Sequence, residues 1–345
     1  MTGAIIAGVN PALALQSTWL MNLITAIIGG RPGMISGTTP FIGIALAELV
    51  QNEGVEYIFY AVMFAGVLQI LYGIMGLGAL MRFVPYPVVQ GFSNAMACYI
   101  IAAQFRLGRN GAMYEGRKLV EPGHSWAHIT DENAEWSKGA PLIILGIHAF
   151  VALLICLLLP RFTRKVPSSF VALAFCTIVE HAFIRSASDY GSSRIKDYGM
   201  VQTDTLAPIW TISSFNLPEF SVDTFRKVYL HGLAVFGTGL CETLLATHII
   251  DELTEVKGKN NRVAIGQGVA NIVSAIFGGM GGSGSIAQSI VANHSDGITN
   301  LCTFLSGSFM LLFIYAAFPM VNLIPLGAIG GIMIWGVSSS CFSPI

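Results

Sequence analysis

The sequence predicts an all-α, polytopic membrane protein containing an inverted repeat, and three observations lead there. Of its 345 residues, 54% are hydrophobic and 11% charged, less than half the roughly 25% charge of an ordinary soluble domain. Apolar runs close to the ~20 residues that cross a bilayer as a helix recur along the chain, among them "APLIILGIHAFVALLICLLL" (140–159) and "LCTFLSGSFMLLFIYAAFPMV" (301–321). The segment "NLITAIIGG" (22–30) returns as "NIVSAIFGG" (271–279). The alternative, a large soluble α-protein with buried helices, does not suit apolar runs spread over nearly the whole length.

Glycine, proline and charge divide the hydrophobic sequence into spans at 11–30, 36–51, 57–77, 86–104, 139–160, 166–184, 228–250, 262–278, 284–293, 299–324 and 326–340. The second opens on "ISGTTP", with a proline and two threonines in its first turn. The fourth follows "PYPVV", whose prolines are compatible with a helix entrance. The ninth is short and opens on the glycine–serine run "GGMGGSGS". Lys and Arg fall in alternate short loops (Arg31; Arg82; Arg161, Arg164 and Lys165; Lys257, Lys259 and Arg262), which marks those loops as cytoplasmic. The long loops 105–138 and 185–227 then lie on the opposite side and read as solvated surface.

A net charge of −1 and the absence of long basic runs give no basis for a nucleic-acid partner. Six cysteines, at 98, 156, 176, 241, 302 and 341, show no metal-ligand spacing and mostly sit in apolar segments. No disulfide, metal or cofactor is expected. With no Ser/His/Asp constellation, HExxH or Walker loop, an enzyme has no support.

The repeat is the most informative feature of organisation. Its copies match at Asn, Ala, Ile and both glycines, and each ends an apolar helix before a Gly-rich link and an interrupted short helix. They lie seven spans apart, and an odd offset reverses direction across the membrane. Short, Gly/Pro-interrupted segments at matching positions of two halves point to a transporter's binding site.

Irregular backbone at membrane depth persists only where it is buried in protein or lines a cavity. Helices starting near Thr39 and Ser285 from opposite sides would therefore bring two N-termini, with their N–H groups and positive dipole ends, to one place. Such a place suits an anion without Lys or Arg, and Thr38, Thr39, Ser283 and Ser285 would add hydroxyls. The competing explanation is that these small residues allow close helix packing. Glu242 lies in "HGLAVFGTGLCETLLATHII", which holds no other carboxylate, Lys or Arg. An ionisable group at that depth is a functional candidate by default, as a proton-binding switch or, ionised, as a cation ligand; a purely structural carboxylate is the alternative. His248 reads as a helix-end residue, Asp251, Glu252, Glu255, Lys257, Lys259 and Arg262 as a solvated loop, and Glu48, Glu180 and His181 as interfacial residues.

The stretches "GGRPGMISGTTP", "GVLQILYGIMGLGALMRFVPYPVVQGFSNAMA" and "RVAIGQGVANIVSAIFGGMGGSGSIAQS" resemble the SulP family of sulfate permeases and related anion transporters, which includes bicarbonate transporters and prestin. The resemblance runs from about residue 11 to about 338. It implies fourteen membrane segments in two inverted halves of seven, with a core (about 11–81 and 226–325), a gate (about 82–225 and 326–345) and half-helices at segments three and ten. On that pattern the anion site is formed by Thr38, Thr39, Ser283, Gly284, Ser285 and Ile286. Glu242 falls on the eighth-segment acidic position linked to a coupling ion, and glutamate there resembles proton-coupled members more than sodium-dependent ones.

Three departures accompany it. Gln288 stands where many members carry arginine, and Ala246 where the sodium-dependent type has threonine. The first segment is mostly lacking, and the chain stops near the twelfth with no STAS domain, as expected of a truncated chain.

The leading expectation is a secondary active anion transporter working by alternating access. The partners implied are a small inorganic anion (sulfate, bicarbonate or chloride), a proton or sodium ion, the lipid bilayer, and a second copy of the chain as a homodimer. The alternatives are a non-transporting membrane fragment, a prestin-like anion- or voltage-sensing module, and a permease of the fold-related nucleobase group; the last is disfavoured by the lack of a second acidic residue near the half-helices.

Overall fold

The computed structural model describes residues 2–83, 140–162, 168–184, 218–219, 221–294, 297–321 and 323–341, with scattered positions between 87 and 121. The expected span at 86–104 lies largely outside the described residues. The chain forms two compact units: Met1–Gly91 with Thr205–Ala316, and Phe92–Asp204 with Ala317–Ile345.

The first unit starts with α1 (Thr2–Ala7) and α2 (Pro11–Ile28). Asn10 caps α2 by accepting from the Ala12 N–H at 2.9 Å, and Pro11 occupies the first helical position, where no N–H is missed. A two-residue strand, β1 (Ser36–Gly37), precedes α3 (Pro40–Glu53), which again opens on a proline. Next come α4 (Tyr57–Ile74) and a 3₁₀ turn at Leu77–Phe83. The return segment is α7 (Val222–Thr254), α8 (Asn260–Ile276), a second two-residue strand β4 (Ser283–Gly284), the short α9 (Ile286–His294) and α10 (Asn300–Val321). Ser221 caps α7 by accepting from the Thr224 N–H.

At 33 residues, α7 is about 50 Å long, well beyond the ~30 Å of hydrocarbon in a bilayer. Its charged residues respect that limit, with Asp223, Arg226 and Lys227 at one end and Asp251 and Glu252 at the other. Glu242 is the only one between them. The expected span at 228–250 is therefore the apolar middle of a longer helix.

Ile42, Leu46, Leu49, Phe59, Val62 and Met280 form the centre of this unit's core. Backbone-close packing joins α4 to α8. A Cβ on Gly66 would lie 2.7 Å from the Gly268 carbonyl oxygen, and one on Gly268 would lie 2.6 Å from that of Gly66. Small residues let membrane helices approach this closely.

In the second unit, α5 (Ala140–Phe162) and α6 (Ser168–Val179) pack with α11 (Leu326–Cys341) around Ala152, Cys156, Ala172, Cys176 and Ala328. Here too glycine sets the approach, because a Cβ on Gly331 would lie 2.1 Å from the Ala149 carbonyl oxygen. One π-helical turn, Glu180–Ile184, extends α6. The region 105–138, expected as plain solvated loop, contains an antiparallel pair, β2 (Met113–Glu115) with β3 (Lys118–Glu121).

Among the described residues, the helices at Tyr57–Ile74, Leu142–Phe162 and Val222–Thr254 are long and apolar enough to cross a membrane. Gly66→Val is expected to force α4 from α8 and cost about 1–3 kcal/mol, read as a lower Tm of the detergent-solubilised protein. The same change at Gly146, whose Cβ would meet nothing within 4 Å, should have little effect.

Candidate functional site

The two interrupted segments begin with equivalent backbone bonds. After α2, the Gly30 N–H donates to the Thr25 carbonyl; after α8, the Gly279 N–H donates to the Ser274 carbonyl at 2.7 Å. Each segment then contains a glycine in left-handed backbone, Gly33 at φ 76° and Gly281 at φ 70°, where a side chain would be strained.

The interruptions meet as antiparallel strands, with Ser36 opposite Gly284 and Gly37 opposite Ser283. A Cβ on Gly282 would sit 2.1 Å from the Gly37 carbonyl oxygen, so only glycine lets the strands come together. Side chains satisfy the flanking backbone. Asn22 Oδ1 accepts from the Ser36 N–H and Asn271 Oδ1 from the Gly282 N–H, both at 2.9 Å. These asparagines are the first residues of "NLITAIIGG" and "NIVSAIFGG". Ser289 Oγ accepts from the Ile35 N–H, and the Ser285 N–H donates to the Ile35 carbonyl. Unsatisfied backbone groups in an apolar surrounding are costly, and this small bridge removes several at once.

Thr39 and Ser285 are the residues from which α3 and α9 depart, so both helix N-termini adjoin the bridge. Glu242, 3% exposed, reaches the same place from the middle of α7. The Thr39 hydroxyl donates to Glu242 Oε2 at 2.7 Å, the Ser283 hydroxyl donates to the same oxygen, and the two hydroxyl oxygens lie 2.8 Å apart. Next to it, Thr243 Oγ1 accepts from the Gly284 N–H at 2.9 Å while donating to the Gly239 carbonyl. Thr39, Ser283 and Glu242, from three elements, thus form one cluster.

Three oxygens in mutual hydrogen-bond contact have three edges, and two hydroxyls supply two protons. A carboxylate leaves one edge without a proton. One more proton on Glu242 completes the ring.

The other candidate residues are placed differently. The Thr38 hydroxyl donates to the Gly281 carbonyl at 2.6 Å, stapling one interruption to the other. Gly284 is part of the bridge, and Ser285 and Ile286 are partly exposed at the start of α9. Gln288 lies in the first turn of α9 and is exposed. Ala246 is buried with Met34, Ile250 and Val263. Gly279, Gly281 and Gly284 also match the Gly-x-Gly-x-x-Gly spacing of dinucleotide sites, but the run follows a helix and leads into a strand pair, the wrong context for that fingerprint.

Two expectations for charged residues are corrected. Asp251 is not part of a solvated loop. Its Oδ1 accepts from Arg31 Nε at 2.7 Å, and both its oxygens accept from the Gly258 N–H at 2.9 Å. Arg31, 5% exposed, also donates to Thr254 Oγ1 and to the carbonyls of Val256 and Pro32. Arg31 thereby ties the approach to β1 to the end of α7. Glu180, expected at the interface, is fully buried, with His148 as its neighbour.

Helices of spanning length, two mutually bridged interruptions and a buried carboxylate at the helix starts define a polytopic α-helical membrane protein of the transporter class. The profile of the sulfate permease family matches residues 1–340, and the chain belongs to that family. It is 32% identical over 336 residues to the "Putative sulfate transporter YbaR" of Bacillus subtilis, covering 96% of this chain and 61% of that protein. It is 25% identical over 320 residues to the "Bicarbonate transporter BicA" of Synechocystis, covering 91% of this chain and 53% of that protein. The chain therefore spans between half and two thirds of the length of these relatives. The solved transmembrane domain of a cyanobacterial bicarbonate transporter, BicA, superposes with a TM-score of 0.77 at 23% identity, covering 99% of this chain and 83% of that one. Proteins of this family are multi-pass and integral to the membrane.

Arg31→Ala leaves Asp251 without its cation and is expected to cost about 3–5 kcal/mol, measured as a fall in Tm, whereas Lys257→Ala in the exposed part of the loop should change little. Thr39→Val nearly keeps volume but removes two edges of the oxygen ring, those to Glu242 and Ser283; a loss of about 1–3 kcal/mol is expected by the same measurement.

Proposed function

We propose that the chain is a secondary active anion transporter, carrying an oxyanion such as sulfate or bicarbonate by alternating access, with Glu242 binding the coupling proton or sodium ion. The observation that carries this is the contact of Glu242 with Thr39 and Ser283 at the starts of α3 and α9. Family membership and the printed descriptions of the relatives support the anion class.

The chemistry couples the two ions through charge. The first-turn N–H groups of α9, at Ile286–Gln288, have no acceptor within the helix, and the positive ends of two helix dipoles favour an anion beside them. An ionised Glu242 takes up that stabilisation itself. It also repels an incoming anion by about 4 kcal/mol at 4 Å and an effective dielectric constant of ~20. A proton or cation on Glu242 removes the repulsion and completes the oxygen ring, so cation and anion bind together. Thr38, Gly284, Ser285 and Ile286 shape the anion's surroundings, and exposed Gln288 supplies an amide where a positive charge would tighten binding to a divalent anion.

We assign about 11–81 and 226–325, which fall mostly in the first unit, as the moving core, and about 82–225 and 326–345, mostly in the second, as the gate.

Uptake of labelled sulfate, bicarbonate and chloride into proteoliposomes tests the assignment. Uptake of an oxyanion driven by an inward proton or sodium gradient is expected. Glu242→Gln should abolish its dependence on that gradient, and Ser283→Ala should slow uptake about tenfold, the rate equivalent of one hydrogen bond of about 1.4 kcal/mol. No uptake of any of the three anions would leave the chain as a non-transporting membrane module. Unchanged pH and sodium dependence in Glu242→Gln would remove that residue from coupling.

A further inference from the structure

α9 has nine residues, and a helix that short takes its direction from tertiary contacts rather than from its own turns. From its start, Ser285, Ser289 and Asn293 recur every four residues and so share one face. All three bond to the same stretch of chain, residues 33–35. The anion site as described uses the first turn of α9 and gives Ser289 and Asn293 no part.

The pairing of β1 with β4 continues by one residue on this face. Ser36 opposes Gly284, so in register Ile35 opposes Ser285, and the Ser285 N–H donates to the Ile35 carbonyl at 2.9 Å. In an antiparallel ladder such a pair returns the bond, from the Ile35 N–H to the Ser285 carbonyl. Here that carbonyl already accepts from the Ser289 N–H, a helical bond. The Ser289 hydroxyl fills the gap: Oγ accepts from the Ile35 N–H at 2.9 Å and donates to the Ser285 carbonyl at 2.6 Å. One buried hydroxyl thus relays the missing ladder bond and lets the chain turn from strand into helix at Ser285.

Asn293 makes the matching contact one turn on. Its Nδ2 donates to the carbonyls of Gly33 and Ser289, at 2.9 and 2.8 Å. Carbonyls only accept, so these bonds fix which way the amide faces. Its Oδ1 is left buried against Gly33 with no donor. An unmet buried acceptor costs stability, so the amide is held for what it donates. Thr303 on α10 covers the carbonyl between, donating to Met34 at 3.2 Å.

These contacts set the rotation of α9 about its axis, because a turn by one residue position, about 100°, would break them together. The free N–H groups at 286–288 project from the turn that Ser285 and Ser289 bracket, so their aim depends on the same contacts. We propose that Ser289 and Asn293 are positioning residues for the anion: clamped to residues 33–35, they hold α9 so that its first-turn N–H groups converge on a bound oxyanion. This role rests on the reading that the anion binds at the start of α9, since misaimed donors matter only to a ligand placed there.

The test is uptake of labelled sulfate and bicarbonate by the full chain in proteoliposomes, read as KM and Vmax, with Tm recorded on the same preparations. Ser289→Ala and Asn293→Leu are each expected to raise KM about tenfold, the equivalent of one misdirected hydrogen bond, with little change in Vmax, the pattern of lost ground-state binding. Gly66→Ala, which disturbs α4 and α8 away from the clamp, should lower Tm and leave KM unchanged. Where Ser289→Ala or Asn293→Leu fails to fold, Ser289→Cys, which nearly keeps the volume and a weaker donor and acceptor, is expected to raise KM by a smaller factor at a near-native Tm. An unaltered KM in the folded Ser289 and Asn293 variants, or one that rises no more than in Gly66→Ala, overturns the positioning role and leaves the transport reading standing. An absence of saturable uptake by the unaltered chain overturns the transport reading itself, and this role with it.

Discussion

The inability of hydrocarbon to hydrogen-bond a free peptide governs this structure. Two helical runs break where the surroundings offer no water, and each break would leave donors and acceptors bare. They satisfy each other, through Ser36–Gly37 against Ser283–Gly284, with Asn22, Asn271 and Ser289 covering the margins. The glycines around the bridge follow from the same constraint, since a methyl group at 282 would collide with the Gly37 carbonyl oxygen. Because the strands are paired, α3 and α9 start side by side, and a carboxyl on α7 can touch the start of both.

Glu242 is therefore held by the framework that sets the helix starts. The hydroxyls of Thr39 and Ser283 hold one carboxyl oxygen, so in the proposed function any change in its proton or cation content would be felt by both helix starts at once.

Much of this was legible in the sequence. Most described helix bounds fell within about a turn of their expected places because composition and Gly/Pro punctuation are strong signals in an apolar chain, whereas α7 starts six residues before its expected span. Glu242 stood out because nothing else charged lies near it. The bridge was invisible, since a two-residue strand has no periodicity to detect. Asp251 and Glu180 were misjudged for another reason. A charged residue near a helix end can face water or turn inward, and its rotation about the helix axis, set by tertiary neighbours, decides between the two. The joining of Glu242 to Thr39 and Ser283 was likewise hidden, because it depends on how three elements far apart in the chain dock.

The bridge also has an order in time. Thr39, next to the first half, and Ser283, in the second, are 244 residues apart in the chain, so at ~5–20 residues per second the first half waits about 12–50 s for its partner to be synthesised. Through that interval Ser36 and Gly37 have no strand to pair with. A nascent chain halted before Ser283 holds an open backbone edge, so synthesis must run past α8 and through β4 before the first interruption can become dry.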